Sequence, residues 1–181
     1  MSWRLIYREL RRLELRGEVR RGYFVRGLAG AQFASAAAVD ALRDAAADAS
    51  PPAVTMSATD PANAYALPLT ADENDRPAIA RPRGRGALLV TMRGRVLMSA
   101  EARGRRINVA ADTPEEEARA AAESLVAHLS LPFPGGQRRH DLQIENIDGA
   151  AATRSPHSAA FVAVGFRRDG LTLRKALDFG T

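Results

Sequence analysis

The sequence predicts an α+β fold, with helices alternating with short strands that pair mostly antiparallel, and three observations carry that expectation. Residues 2–16 and 113–129 have helical apolar spacing with matching end signals. Short apolar segments elsewhere are joined at Arg93-Gly94 and Asp169-Gly170, dipeptides that suit tight hairpin turns. The 181 residues are 46% hydrophobic and 26% charged, enough apolar material for a core and unlike a disordered chain.

In residues 2–16, Ser2 is a candidate N-cap and Gly17 sits where a left-handed C-cap belongs. Trp3, Ile6, Leu10 and Leu13 fall on one face, leaving Arg4, Arg8, Arg11 and Arg12 for others. Trp3, the sole tryptophan, is expected in the core rather than stacked on a base. Residues 18–25 alternate around Gly22 and read as a hairpin. A helix, a glycine and then a basic hairpin is the order of a recognition helix followed by its wing. Residues 28–47 read as a connection followed by a helix ending near Ala47, and Ser50-Pro51-Pro52 marks a boundary. The expected domains are residues 1–49 and 50–181.

Beyond the boundary, residues 54–58 read as a strand, Asp60-Pro61 as a turn, and residues 65–69 as a second strand-like piece. Residues 70–85, polar and rich in proline and glycine, read as an exposed loop. Residues 87–92 and 95–99 form a hairpin around Arg93-Gly94, and residues 105–109 add a strand. Thr113 is expected to cap the next helix, with Pro114 in its first position and Glu115, Glu116 and Glu117 in its first turn, where the helix dipole favours negative charge. Residues 131–136 form a linker. Residues 141–147 read as one strand, Asp148-Gly149 as a turn, residues 155–164 as a helix ended by Gly165, and residues 166–174 as a closing hairpin. No internal repeat is evident.

Several function classes are excluded or disfavoured. With no cysteine there is neither a disulfide framework nor a thiolate metal site. No apolar run approaches bilayer length and no signal core is visible, so no membrane partner is expected and a cytoplasmic location is the default. A phosphate-binding loop ends in Gly-Lys-Ser/Thr, whereas the single lysine, Lys175, lies between Arg174 and Ala176. No ATPase chemistry is therefore expected of this chain, and no cofactor. His128, His140 and His157 lack ligand spacing, Ser155 is better read as a helix cap than as a nucleophile, and Asp72, Glu73 and Asp75 read as solvated loop charge. The net charge is +5 and 25 of the 26 basic residues are arginine, whose planar fork suits phosphate and guanine, although a GC-rich genome produces the same bias.

Four blocks, in order, resemble the C-terminal region of the large helicase-related family of superfamily-2 ATP-dependent DNA helicases. They are residues 3–19, residues 23–27 with Gln32-Phe33-Ala34, residues 57–61, and residues 144–149 with Ser155-Pro156 and residues 165–174. The resemblance implies a partial winged-helix unit, its last helix plus wing, followed by a mostly antiparallel, barrel-like sheet with packing helices. It implies a DNA-binding accessory segment, with ATP and magnesium belonging to motor domains supplied in cis or in trans. The earlier helices of the winged unit are not in this sequence, and Asp148 stands where an asparagine-like residue is expected.

The expected nucleic-acid contacts are Arg8, Arg11, Arg12, Arg20, Arg21 and Arg26 on the helix and wing, with Arg83 and Arg85 in the loop. Arg81, Arg93, Arg95, Arg103, Arg105 and Arg106 could extend that surface over the sheet. The expected partner is single-stranded or tailed DNA. Two alternatives stand beside this one: a DNA glycosylase-like repair enzyme using Asp60, Asp141 or Asp178, and a scaffold for a helicase subunit that touches no DNA.

Overall fold

Residues 3–15 carry apolar side chains every three or four positions and form helix α1 (Trp3–Leu15). A computed structural model describes residues 2–25, 30–47, 51–61, 63, 65, 84, 86–132 and 136–177. Two compact units separate among them, one within residues 2–51 and the other within residues 52–177.

In the first unit α1 ends as its glycine predicts. Gly17 adopts φ +77°, the Gly17 amide donates to the Glu14 carbonyl (3.0 Å), and the Glu18 amide donates to the Leu13 carbonyl (2.9 Å). These two bonds satisfy carbonyls left open at the helix end. Ser2 occupies the N-cap position, but its hydroxyl makes no capping bond. The wing differs from the expected hairpin within residues 18–25. Strand β1 (Val19–Gly22) pairs antiparallel with β2 (Gln32–Ser35), so the return strand begins seven residues beyond the end of the expected hairpin. The cause is Gln32. Its side-chain oxygen accepts the Phe24 and Val25 amides (both 2.8 Å) and its amide nitrogen donates to the Val25 carbonyl (3.1 Å), which fixes the outgoing chain against β2. Helix α2 (Ala36–Ala47) follows at once, its Ala38 amide bonded to the Ser35 hydroxyl.

The second unit is built on a six-stranded sheet ordered β3-β4-β5-β6-β8-β9. Its strands are β3 (Val54–Ser57), β4 (Leu88–Met92), β5 (Arg95–Glu101), β6 (Arg106–Val109), β8 (Asn146–Ile147) and β9 (Ala150–Ala151). Neighbours are antiparallel except β6 and β8, which run parallel. The β4–β5 turn holds Arg93 and Gly94 at φ +51° and +72°, the conformation for which the dipeptide was read as a hairpin turn. A three-stranded sheet ordered β10-β11-β7 joins β7 (Asp141–Ile144), β10 (Arg167–Asp169) and β11 (Thr172–Ala176). Among the described residues no sheet closes, which corrects the barrel-like expectation: the six-stranded sheet is open, with β3 at one edge and the two-residue β9 at the other. The expected single strand at residues 141–147 is also divided. β7 and β8 belong to different sheets, and the chain turns at Glu145, whose amide donates to the Arg105 carbonyl (2.8 Å).

Helix α3 (Glu115–Leu129) packs Ala118, Ala121, Ala122, Leu125 and Leu129 onto the unit. All but Ala118 join Val90, Leu97, Met98, Ile107, Ile144, Ile147, Phe161 and Leu173 in one core. Pro114, not Thr113, holds the N-cap position of α3, and the Thr113 hydroxyl is buried without a hydrogen-bond partner. The short helix α4 (Ser158–Ala163) ends at Gly165 (φ +95°), where a Cβ would lie 2.5 Å from the Lys175 ammonium. That ammonium donates to the Val164 carbonyl (2.8 Å), so the only lysine closes a helix end, where positive charge is favoured. The closing hairpin turns on Gly170-Leu171 rather than Asp169-Gly170, since Asp169 pairs with Thr172.

Candidate nucleic-acid interface

The apolar stripe of α1 fixes where its arginines go. With Ile6, Leu10 and Leu13 on one side, Arg4, Arg8 and Arg11 recur at four- and three-residue spacing along another, and all three are exposed. α1 packs beside β1, whose Arg20 and Arg21 are also exposed. Glu14 joins the two elements: its carboxylate lies 3.9 Å from Arg11 and 3.4 Å from Arg21. Arg12 pairs with Glu9 at 3.3 Å and Arg16 with Glu18 at 2.8 Å. Surface pairs of this kind are worth about 0–1 kcal/mol and exchange readily for another anion. Arg4, Arg8 and Arg20 have no carboxylate partner among the described residues. Residues 2–22 hold seven arginines against three glutamates, so the pairing leaves the surface strongly positive.

Five of the eight expected contact residues, Arg8, Arg11, Arg12, Arg20 and Arg21, are exposed, and Arg11, Arg12 and Arg21 are engaged with glutamates; Arg20 and Arg21, successive on β1, point to opposite faces of the strand. Arg26, Arg83 and Arg85 lie outside the described residues, as do Arg81, Asp72, Glu73, Asp75 and Asp178. Arg4, which is not among the expected contacts, continues the stripe of Arg8 and Arg11, and its spacing of four from Arg8 is the signal in the sequence for it. Trp3 is not core. It is 57% exposed, with its ring 6.2 Å from that of Tyr7, which in turn meets Phe33 edge-on at 6.0 Å. No side chain of α1 is buried, and its apolar face is covered only in part by the described residues.

On the second unit the arginines named for the sheet divide. Arg95 pairs with Asp112 (2.7 Å), Arg105 with Glu145 (3.3 Å) and Arg106 with Glu101 (3.1 Å). Of the candidate acids, Asp60 is exposed and Asp141 is exposed with Arg174 at 3.8 Å. The position expected to be asparagine-like has a structural use: Asp148 adopts φ +54°, accepts the Val109 amide (2.7 Å) and faces the His157 ring at 3.9 Å. No cluster of three or more potential metal ligands occurs among the described residues, and no described helix is long and apolar enough to cross a membrane.

A helix, a Schellman-type stop and a basic two-stranded wing, followed by a separate α+β unit, define a segment of winged-helix type. Residues 1–54 match the winged-helix domain of the large helicase-related protein. A protein of Mycolicibacterium smegmatis named Lhr helicase/probable uracil glycosylase is 35% identical over 93% of this chain and 12% of its own length. An Escherichia coli protein named Lhr helicase/uracil glycosylase is 40% identical over 55% of this chain and 7% of its own length. The chain is thus similar over most of its length to proteins of the large helicase-related family, and spans about an eighth or less of those relatives.

Proposed function

We propose that this chain is a DNA-binding accessory segment of an ATP-dependent helicase engaged in DNA repair in the cytoplasm, gripping single-stranded or tailed DNA beside the motor. The observation that carries the reading is the exposed row of Arg4, Arg8 and Arg11 on α1 with Arg21 of β1 drawn to it through Glu14, four guanidinium groups for which Glu14 is the one carboxylate partner among the described residues. Such a surface recognises phosphate without reading sequence, and each phosphate it neutralises releases counterions. The test is fluorescence anisotropy with a tailed duplex at several salt concentrations. The expected result is affinity that falls steeply with salt and varies little with sequence. Affinity indifferent to ionic strength would remove the reading and leave a scaffold for a helicase subunit.

The names of the relatives favour a second reading, in which the chain takes part in excising uracil from DNA, an activity that needs a base flipped from the stack and an acid to activate water. Asp60, Asp141 and Asp178 are the acids to replace by asparagine. Abasic product from uracil-containing single strands, lost in one of these variants, would support it; no product from the unaltered chain would end it.

A further inference from the structure

The wing carries a side chain that the arginine surface does not use. Tyr23 directly follows β1 and is 93% exposed, more than any other large hydrophobic residue described. Its chain neighbours are fixed. The Phe24 ring folds back over Gly22, where a Cβ would lie 3.0 Å from Phe24 Cζ. The Phe24 and Val25 amides both donate to the Gln32 side-chain oxygen at 2.8 Å, and the Gln32 amide nitrogen donates to the Val25 carbonyl at 3.1 Å. The Tyr23 ring and hydroxyl themselves have no partner among the described residues. Trp3 differs, because its exposed ring is braced by Tyr7, which in turn meets Phe33.

The side of the strand on which Tyr23 lies follows from these neighbours. Side chains alternate across extended backbone, and Phe24 shares the side of Gly22. Tyr23 therefore shares the side of Arg21, about 6.6 Å further along the wing. Arg21 is the residue that Glu14 joins to Arg11 of α1, and its partner across the ladder, Phe33, meets Tyr7 of α1. The ring thus extends the face on which helix and wing come together. Arginines grip phosphate whether or not the base is paired. An uncovered ring next to them offers a flat apolar surface to a base, and a base inside a closed duplex has both faces already stacked.

We propose that Tyr23 is a base-stacking platform, on which one unpaired base of a single strand rests while Arg21 and the arginine row of α1 hold the neighbouring phosphates. Gln32 pins the backbone after the ring, and Gly22 leaves room for Phe24 to turn away from it. The inference rests on the DNA-binding reading of this surface and adds a preference for unpaired bases. The unaltered full chain, Tyr23→Ala and Tyr23→Phe are compared by fluorescence anisotropy on two labelled strands. One is a 20-nucleotide oligothymidylate, and the other is an abasic strand of equal length with the same phosphates. The expected result in Tyr23→Ala is a loss of at least about fivefold on oligothymidylate, no loss on the abasic strand and an unchanged salt slope. Tyr23→Phe keeps the ring and should stay within about twofold of the unaltered chain. A side chain this exposed supports no packing, so all three chains should unfold at the same urea concentration. Equal losses on the two strands would make Tyr23 a backbone contact and overturn the stack. A loss in Tyr23→Phe that matches the loss in Tyr23→Ala would overturn it as well. Tight binding to both strands with no effect of either variant overturns the proposal and leaves the phosphate-binding surface standing. No binding of the unaltered chain to either strand removes the DNA-binding reading, and the platform with it.

Discussion

Helices α1 and α3 have nearly equal lengths and opposite relations to their surroundings. α3 buries five side chains, four of them in a core shared with two sheets, whereas α1 buries none. Isolated helices of this length are marginal in water, so α3 is held by packing, while α1 relies on its Gly17 stop, its partial contact with β1 and β2, and its side-chain pairs. The difference teaches that the two helices serve different ends: one is structural, and the other presents charge.

The comparison can be broken by substitution. Leu125→Ala should cost about 2–5 kcal/mol of stability in urea unfolding, because it leaves a cavity in the core, whereas Ile6→Ala on the half-open face of α1 should cost less than about 1 kcal/mol. Equal costs would mean that α1 is as firmly packed as α3. Next in size, Arg8→Ala combined with Arg20→Ala should lower the salt slope for single-stranded DNA by about 1.4 with no change in the unfolding midpoint. An unchanged slope would remove these two positions from the interface. A pH effect follows from His128. Burial, and then Arg139, lower its pKa in the folded chain below the ordinary value, so the unfolded chain takes up the proton first as pH falls. Stability from this residue is therefore intact at pH 7.5 and declines as pH drops through about 6.5. Unfolding midpoints at pH 7.5 and 5.5 should differ less in His128→Gln than in the unaltered chain. The smallest effect, and one of opposite sign, is expected at Thr113: replacing a buried, unpartnered hydroxyl by a methyl in Thr113→Val should be neutral or stabilise by up to about 1 kcal/mol. A loss of that size would restore Thr113 to the capping role its sequence context suggested.

Local signals explain what was legible in the sequence. The limits of α1, the Gly17 stop, the β4–β5 hairpin and the body of α3 all depend on residues a few positions apart, and the structure follows them. The wing was misread because its register is set by Gln32, whose side chain substitutes for strand pairing beside Phe24 and Val25, a contact that no periodicity records. The division of residues 141–147 depends on the distant Arg105 carbonyl, and Trp3 was assigned to a core on residue type alone. Of the candidate interface, the stripe of Arg8 and Arg11 was visible as spacing. The meeting of Arg11 and Arg21 at Glu14 needed the fold to bring residues 10 positions apart together.

The divided strand at Glu145 has a mechanical consequence. Glu145 and Asn146 donate their consecutive amides to the same Arg105 oxygen, at 2.8 and 3.2 Å, and this knot is where the backbone passes from the three-stranded layer to the six-stranded one. A tug on the terminal ribbon of β10 and β11 would travel through β7 and reach the larger layer across a single residue. One residue inserted there would rotate Ile144 or Ile147 out of the shared interior, so the joint tolerates replacement of side chains far better than any change in chain length.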